Sequence, residues 1–106
     1  MRVRHGVRTV GSFLAGGTLR GRAFTVNGRP VYVEGGNWIT TDLLLRYADD
    51  ASRYVAEVGR YKEMGLNFIR VWGGGLWERE AFFDACDAAG MLVLQEYWMT
   101  GDNNGR

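Results

Sequence analysis

The run GLNFIRVWGGG, residues 65–75, decides the fold of this chain. Its first glycine can end a helix, the apolar and β-branched residues that follow predict a strand, and three glycines close the run. The same order returns at residues 90–98, where Gly90 precedes MLVLQEYW, so the capping glycines at 65 and 90 lie 25 positions apart. Such a repeat is typical of successive α/β units. We therefore predict that these strands lie parallel in one sheet.

An amphipathic helix is predicted before each of these strands. Residues 49–64 place apolar side chains at the i, i+3, i+4, i+7 spacing of one helical face, and Asp49 or Asp50 can supply the N-cap. A second helix is predicted at about residues 78–89. The predicted buried faces are Ala51, Tyr54, Val55, Val58, Tyr61 and Met64 in the first helix, and Phe82, Ala85, Cys86 and Ala89 in the second.

A β-hairpin is predicted at residues 24–33. Its turn is Asn27-Gly28, a pair that accepts the positive φ angles of a type I′ turn. We expect the first strand of the parallel sheet to cover residues 31–38. Residues 1–22 keep a period of neither 2 nor 3.6 residues and predict an extended lead-in followed by a loop.

Three parallel strands and two helices make an incomplete sheet, because parallel sheets are normally covered on both faces. A (β/α)8 barrel takes roughly 250 residues, and a doubly wound sheet also contains more strands. We therefore expect this chain of 106 residues to be the first part of a larger α/β domain. Residues 1–20 would be the lead-in, and residues 21–106 the partial domain.

Composition excludes several classes of protein. With 46% hydrophobic and 13% aromatic residues, the chain is not a disordered tail. Its formal charge of +1 provides neither the basic field of a nucleic-acid binder nor the polybasic patch of a membrane-surface protein, and its longest apolar run, residues 91–94, is too short to span a bilayer. One cysteine, Cys86, and one histidine, His5, form neither a disulfide nor a zinc cluster. No metal and no cofactor are predicted.

Polar and aromatic side chains gather where the predicted strands end, which is where parallel α/β folds place ligand sites. They are Asn37 and Trp38, Arg70 and Trp72, and Glu96 and Trp98. Indoles stack on the apolar face of a sugar ring, while amide, guanidinium and carboxylate groups bind its hydroxyls. This mixture predicts a sugar-binding site.

Each of these residues also has a purely structural interpretation. A tryptophan at a strand end can pack in the core, and Arg70 and Glu96 can be an ordinary ion pair. Alternation along the second strand places Ile69 and Val71 against the helices and Arg70 on the opposite face.

Three tracts, taken in order, resemble glycoside hydrolase family 2. They are FTVNGRPVYVEGGNWI at residues 24–39, NFIRVWGGG at residues 67–75 and QEYWMTGD at residues 95–102. The resemblance is closest to the β-mannosidase branch, which includes the plant mannosylglycoprotein endo-β-mannosidases, and to relatives of the exo-β-glucosaminidase type. It covers residues 20–106 approximately.

The resemblance implies strands 1 to 3 of a TIM barrel, with residues 1–20 leaving a preceding β-sandwich domain. It also implies hydrolysis of β-mannosidic or related β-glycosidic bonds with retention of configuration, by two carboxyl groups on the fourth and seventh strands. Neither of these lies in the chain, and Glu96 matches neither. The chain alone is therefore expected to be inactive, and its expected partners are the rest of the parent polypeptide and a β-linked oligosaccharide or glycoconjugate.

The resemblance also implies a supporting role for this chain in the site. Arg70 corresponds to an arginine beside the nucleophile, where its charge favours an ionised carboxylate. Trp72 and the pair Asn37-Trp38 resemble the wall of the subsite for the non-reducing sugar. Asp42 and Asp102 are candidate hydroxyl binders on loops. Metal ligands of the galactosidase branch are not evident, which disfavours a β-galactosidase.

Alternatives to a β-mannosidase remain. An exo-β-glucosaminidase or another family 2 β-glycosidase would share these tracts, and a non-catalytic carbohydrate-binding module could use the same tryptophans. A nucleotide-binding domain is disfavoured, because residues 73–78 miss the third glycine of the phosphate-binding motif.

Overall fold

The computed structural model describes residues 5–16, 21–39, 42, 44 and 51–99. The chain divides into two compact units, residues 1–33 and residues 34–106. The sequence placed a boundary after residue 20 instead, and the assignment of residues 1–20 to the end of a β-sandwich domain stays a prediction.

The first unit is an antiparallel sheet of three strands in the order β1-β2-β3. β1 is Val10–Ala15, β2 is Gly21–Val26 and β3 is Arg29–Val31. Asn27 has a φ of 51° and Gly28 a φ of 74°, which confirms the predicted hairpin turn between β2 and β3. The Asn27 side chain also accepts a hydrogen bond from the Thr9 backbone, at 3.0 Å, and so ties the turn to the segment before β1.

The extended lead-in predicted for residues 1–22 contains a regular strand, β1, which the sequence pattern did not indicate. This strand pairs along its length with β2, from Val10 opposite Val26 to Ala15 opposite Gly21. The sequence of β1 does not show the alternation of apolar and polar residues that is typical of strands, because apolar Phe13 and Leu14 are adjacent and both are exposed. A Cβ on Gly11 would lie 2.8 Å from the Thr25 hydroxyl, so a larger residue there would require the Thr25 side chain to move.

The second unit is a parallel sheet with two connecting helices, which confirms the predicted α/β class. It consists of β4 at Gly35–Trp38, α1 at Ala51–Glu63, β5 at Phe68–Val71, α2 at Glu80–Ala89 and β6 at Leu92–Gln95. The strands are parallel in the order β4-β5-β6. Closure into a barrel stays a prediction.

The predicted strand over residues 31–38 is wrong, because two different sheets use its ends. Val31 pairs with Phe24 of β2, whereas β4 begins only at Gly35 and pairs with β5. Glycine is required at this start, since a Cβ on Gly35 would collide with the carbonyl group of Phe68. The other predicted strands also end earlier than expected, at Val71 and Gln95.

Both predicted glycine caps are confirmed. Gly65 has a φ of 80° and Gly90 a φ of 68°, the left-handed conformation that ends helices. The amide of Leu66 donates to the Tyr61 carbonyl at 3.1 Å, and that of Met91 to the Cys86 carbonyl at 2.9 Å. These bonds satisfy carbonyls at the helix ends and start the turn into the next strand. The predicted N-cap of α1 lies outside the described residues.

The core lies between the helices and one face of the parallel sheet. Ile69 and Val71 are buried in it, as the alternation predicted. The predicted face of α2 is confirmed, but of the face predicted for the first helix, Ala51, Val55 and Met64 are exposed rather than buried. The buried residues of this core are Trp38, Tyr54, Val58, Ile69, Val71, Phe82, Ala85, Cys86 and Met91. Among the described residues, no helix combines the length and the apolar character needed to cross a membrane.

A buried carboxylate joins three parts of this unit. α2 begins at Glu80 rather than at residue 78, and Glu78, at 3% exposure, turns into the core instead. Its Oε1 accepts a hydrogen bond of 2.8 Å from the Trp38 indole, and its Oε2 accepts one of 2.6 Å from the Tyr54 hydroxyl. Glu78 thus fixes the loop between β5 and α2 against β4 and α1.

Replacing Glu78 by alanine should lower the free energy of unfolding by at least about 1–3 kcal/mol, because the buried Trp38 indole N–H loses its acceptor and the Tyr54 hydroxyl loses its bond to Oε2. Urea denaturation measures this change. Glu80→Ala is the matched control, because Glu80 is exposed in the first turn of α2. Equal stability of the two variants would contradict an anchoring role for Glu78.

Candidate functional site

Strand register brings polar residues together at the carboxyl end of the parallel sheet. Asn37 lies opposite Arg70, and Arg70 opposite Leu94, so these side chains share the sheet face that points away from the helices. Glu96 follows two residues after Leu94. The backbone ladder extends past the strands, with the Glu96 amide donating to the Val71 carbonyl at 3.2 Å.

Arg70 binds both Glu96 and Asn37. Its Nε and Nη2 donate to Glu96 Oε1 at 2.8 and 2.6 Å, and its Nη1 donates to Asn37 Oδ1 at 2.8 Å. A guanidinium group has five N–H donors, so two have no partner among the described residues. The sequence left open a structural ion pair, and the geometry shows that the pair exists. The free donors and the half-buried position leave Arg70 able to bind a further acceptor.

The second oxygen of Glu96 is held by backbone. The Gly73 amide donates to Glu96 Oε2 at 2.8 Å. Any side chain at position 73 would prevent this approach, because its Cβ would collide with the Tyr97 carbonyl and lie 3.2 Å from Glu96 Oε2. The first glycine of the triplet is therefore required by the cluster itself.

Hydrogen bonding keeps Glu96 ionised. The Gly73 amide and then Arg70 lower the pKa of Glu96 below its ordinary value of 4.5. A carboxyl group with a lowered pKa holds no proton to give at neutral pH, so Glu96 is suited to accept hydrogen bonds and not to act as a general acid. Together with Asn37 and Arg70, it offers acceptors and donors for hydroxyl groups.

The tryptophans predicted at the site lie in three different environments. Trp38 is 4% exposed and packs in the core against Tyr61 and Phe82, so the structure does not place its indole with the polar cluster. Alternation along β4 explains this, since Trp38 follows Asn37 and points to the helices. Trp72 is 37% exposed, and its indole lies across Gly74, where a Cβ would collide with the ring. Trp98 is 71% exposed beyond the end of β6.

Of the two loop aspartates, the structure describes only Asp42, which binds other partners than the polar cluster. Asp42 accepts a hydrogen bond of 2.8 Å from the Leu44 amide and lies 3.9 Å from the Arg53 guanidinium of α1. Asp102 lies outside the described residues.

Sequence reasoning missed three residues around the site: Gly73 as a donor to Glu96, Trp77 as an exposed partner of Trp98, and Glu78 as a buried anchor. The glycine triplet could have indicated Gly73, and the tryptophan that closely follows this triplet could have indicated Trp77. Glu78 had none, because a glutamate before a helix usually lies on the surface.

This unit has two other features of chemical interest, a groove and a buried thiol. A groove of about 380 Å3 lies between β4 and α1 and shares only Asn37 with the polar cluster. Burial raises the pKa of Cys86 to about 12, so this thiol stays protonated and packs as an apolar group. Within the described part of the chain, no three histidine, cysteine or acidic side chains are grouped as metal ligands.

Known proteins resemble this chain over most of its length. It is 50% identical over 86 residues to a mannosylglycoprotein endo-β-mannosidase from Lilium longiflorum, a match that covers 81% of this chain and 9% of the relative. The structure of a β-D-mannosidase from Dictyoglomus thermophilum matches with a TM-score of 0.77 and 34% identity, over 88% of this chain and 12% of the other. An exo-chitosanase from Amycolatopsis orientalis matches with a TM-score of 0.71 and 33% identity, over 85% and 10%.

Over the length that it covers, the chain is thus similar to β-mannosidases and to enzymes of the exo-β-glucosaminidase type, which supports the resemblance to glycoside hydrolase family 2. Within that family, its curated relatives carry the names β-mannosidase and mannosylglycoprotein endo-β-mannosidase. No family model matches the sequence. The chain spans about a tenth of the length of the curated relatives that it matches.

The pKa of Glu96 provides a direct check of the cluster. We expect Arg70→Met to raise it only part of the way to 4.5, because the Gly73 hydrogen bond, the larger cause, remains. A lowered pKa means that the folded state binds fewer protons than the unfolded state, so the stabilisation by Glu96 is complete above pH 4.5 and is lost as the pH falls through the lowered pKa.

Carbon-detected NMR titration of the glutamate carboxyl groups measures this pKa. Arg60→Met, on the exposed side of α1, is the control and should leave it unchanged. An ordinary pKa for Glu96 in the unaltered protein would contradict the arrangement of the cluster.

Proposed function

We propose that the protein that carries this chain hydrolyses β-mannosidic bonds with retention of configuration, and that this chain supplies one side of its sugar-binding site. The observation that carries the proposal is the cluster of Asn37, Arg70 and Glu96 at the carboxyl ends of three parallel strands. Names of the relatives support the choice of β-mannoside.

In this proposal the chain binds and orients, while the two reacting carboxyl groups come from later strands. One carboxylic acid would protonate the leaving oxygen, and a carboxylate roughly 5 Å away would attack the anomeric carbon. Arg70 would use its remaining donors to hold this nucleophile ionised and oriented, because an adjacent fixed positive charge lowers the pKa of a carboxyl group. Glu96 and Asn37 would bind sugar hydroxyls and Trp72 would line the ring, while Trp98 is a further candidate for substrate binding. Asp42 and Asp102 remain further candidates for hydroxyl binding.

Hydrolysis of aryl β-mannoside by the full-length protein, followed by proton NMR, tests the proposal. A retaining enzyme releases the β-anomer first, and mutarotation then produces the α-anomer. Release of the α-anomer first would contradict retention. Sugar binding without any hydrolysis would favour the carbohydrate-binding module.

The second candidate is an exo-β-glucosaminidase. It is favoured by the similarity to a structure described as an exo-β-D-glucosaminidase, with a TM-score of 0.76 and 32% identity over 94% of this chain. The same assay with aryl β-glucosaminide distinguishes the two. A kcat/KM that is higher for the glucosaminide would select this alternative.

Arg70→Lys should lower kcat far more than it changes KM. Lysine keeps the charge but loses the planar group that contacts Glu96 and Asn37 together. Loss of roughly 2–4 kcal/mol of transition-state stabilisation corresponds to a fall of about 10²–10³ in rate. Arg60→Lys, on the opposite side of the sheet, serves as the control.

Steady-state kinetics and thermal unfolding are measured on the same preparations of these variants. Wild-type kcat in the Arg70→Lys enzyme would contradict the proposed role. A loss of stability with normal turnover of the folded fraction would show that the ion pair is only structural.

The chain of 106 residues should hydrolyse no glycoside when it is produced alone. The reaction needs two positioned carboxyl groups, and Glu96 is an ionised acceptor bound to Arg70. Incubation with aryl β-mannoside and β-glucosaminide checks this expectation. Turnover that disappears in Glu96→Gln would contradict it and would assign the reaction to this chain.

A further inference from the structure

Two exposed indoles lie in the segments that follow β5 and β6, the strands that end at the polar cluster. Trp77 is 60% exposed and Trp98 is 71% exposed. Their ring centroids lie 6.4 Å apart at an interplanar angle of 75°, an edge-to-face pair. Two large apolar side chains exposed next to each other in this unit offer a surface to a ligand or to another part of the protein.

Both indoles are held by fixed neighbours. Trp77 directly precedes Glu78, whose carboxylate is bound in the core by Trp38 and Tyr54. Trp98 follows two residues after Glu96, which Arg70 and the Gly73 amide hold in place. Because the backbone is anchored beside each ring, the pair is ordered before any ligand arrives, which lowers the entropic cost of binding.

We propose that Trp77 and Trp98 form an additional sugar subsite, which stacks on a pyranose ring in the leaving group of a β-linked oligosaccharide. A flat indole face matches the apolar face of a pyranose, as the tryptophan-rich strand ends already indicated. The pair lies on residues beyond the strand ends, whereas Arg70 and Asn37 lie within the strands. A sugar bound at the polar cluster would therefore continue outward over these rings.

This inference rests on the proposed glycosidase function, and a comparison of substrates separates the two. The full-length protein is assayed with methyl β-mannoside, whose leaving group has no ring, and with β-mannosides whose leaving group is one or two 4-linked mannose or N-acetylglucosamine residues. The subsite predicts a higher kcat/KM for at least one ring-bearing substrate. We define the preference as kcat/KM for the ring-bearing substrate divided by kcat/KM for methyl β-mannoside. Trp77→Ala and Trp98→Ala should each lower this preference by about 10-fold, which is roughly 1.4 kcal/mol.

Two control variants make the result specific. Trp77→Phe keeps an aromatic face and should retain most of the preference. Leu76→Ala removes the neighbouring exposed apolar side chain and should leave both the preference and the basal activity unchanged.

Three outcomes would overturn the proposal. If no β-mannoside is hydrolysed, the proposed function fails and the subsite fails with it. If methyl β-mannoside is hydrolysed but ring-bearing leaving groups give no advantage, the subsite alone fails. If Trp77→Ala lowers thermal stability and slows all substrates equally, the indoles pack against another part of the protein instead.

Discussion

Arg70 points away from the core because its two neighbours in β5, Ile69 and Val71, are buried beneath the helices. Side chains of a strand alternate between the faces of the sheet, so one residue between two apolar ones must lie on the other face. There it meets Asn37 from one adjoining strand and Glu96 from the end of the other. The packing of the core and the position of the charged group are thus consequences of one alternating strand.

The loop after β5 connects this cluster to the core. At its start, the Gly73 amide binds Glu96, and near its end Glu78 accepts hydrogen bonds from Trp38 and Tyr54. A segment fixed at both ends by bonds to carboxylates has little freedom to rearrange. This constraint keeps Glu96 ionised and oriented, and it also fixes the backbone on which Trp77 is displayed.

Features set by local chemistry were predictable from the sequence. The Asn27-Gly28 turn and the caps at Gly65 and Gly90 depend on backbone conformations that few residues adopt, and all were confirmed. The burial of Ile69 and Val71 and the exposed side for Arg70 followed from alternation alone. At the site, the grouping of Asn37, Arg70 and Glu96 was foreseen because strand ends of a parallel sheet converge.

Features set by tertiary pairing were not predictable. The division of residues 31–38 between two sheets depends on which partner each end finds, and β1 is recognisable only by its pairing with β2. Glu78 is buried because Trp38 and Tyr54 can donate to it, a condition that requires three distant segments to meet. Trp38 was placed at the site by the pattern of strand-end residues and by resemblance, although its alternation with Asn37 already directed it to the core.

The proposed function depends on sugar binding by the cluster of Asn37, Arg70 and Glu96. A crystal structure of the full-length protein with an unreactive β-mannoside analogue would show whether this cluster binds the sugar. We expect sugar hydroxyls within about 3.2 Å of Glu96 or Asn37, with Arg70 beside the nucleophilic carboxylate. Finding the sugar elsewhere, with this cluster enclosed by other side chains, would contradict it.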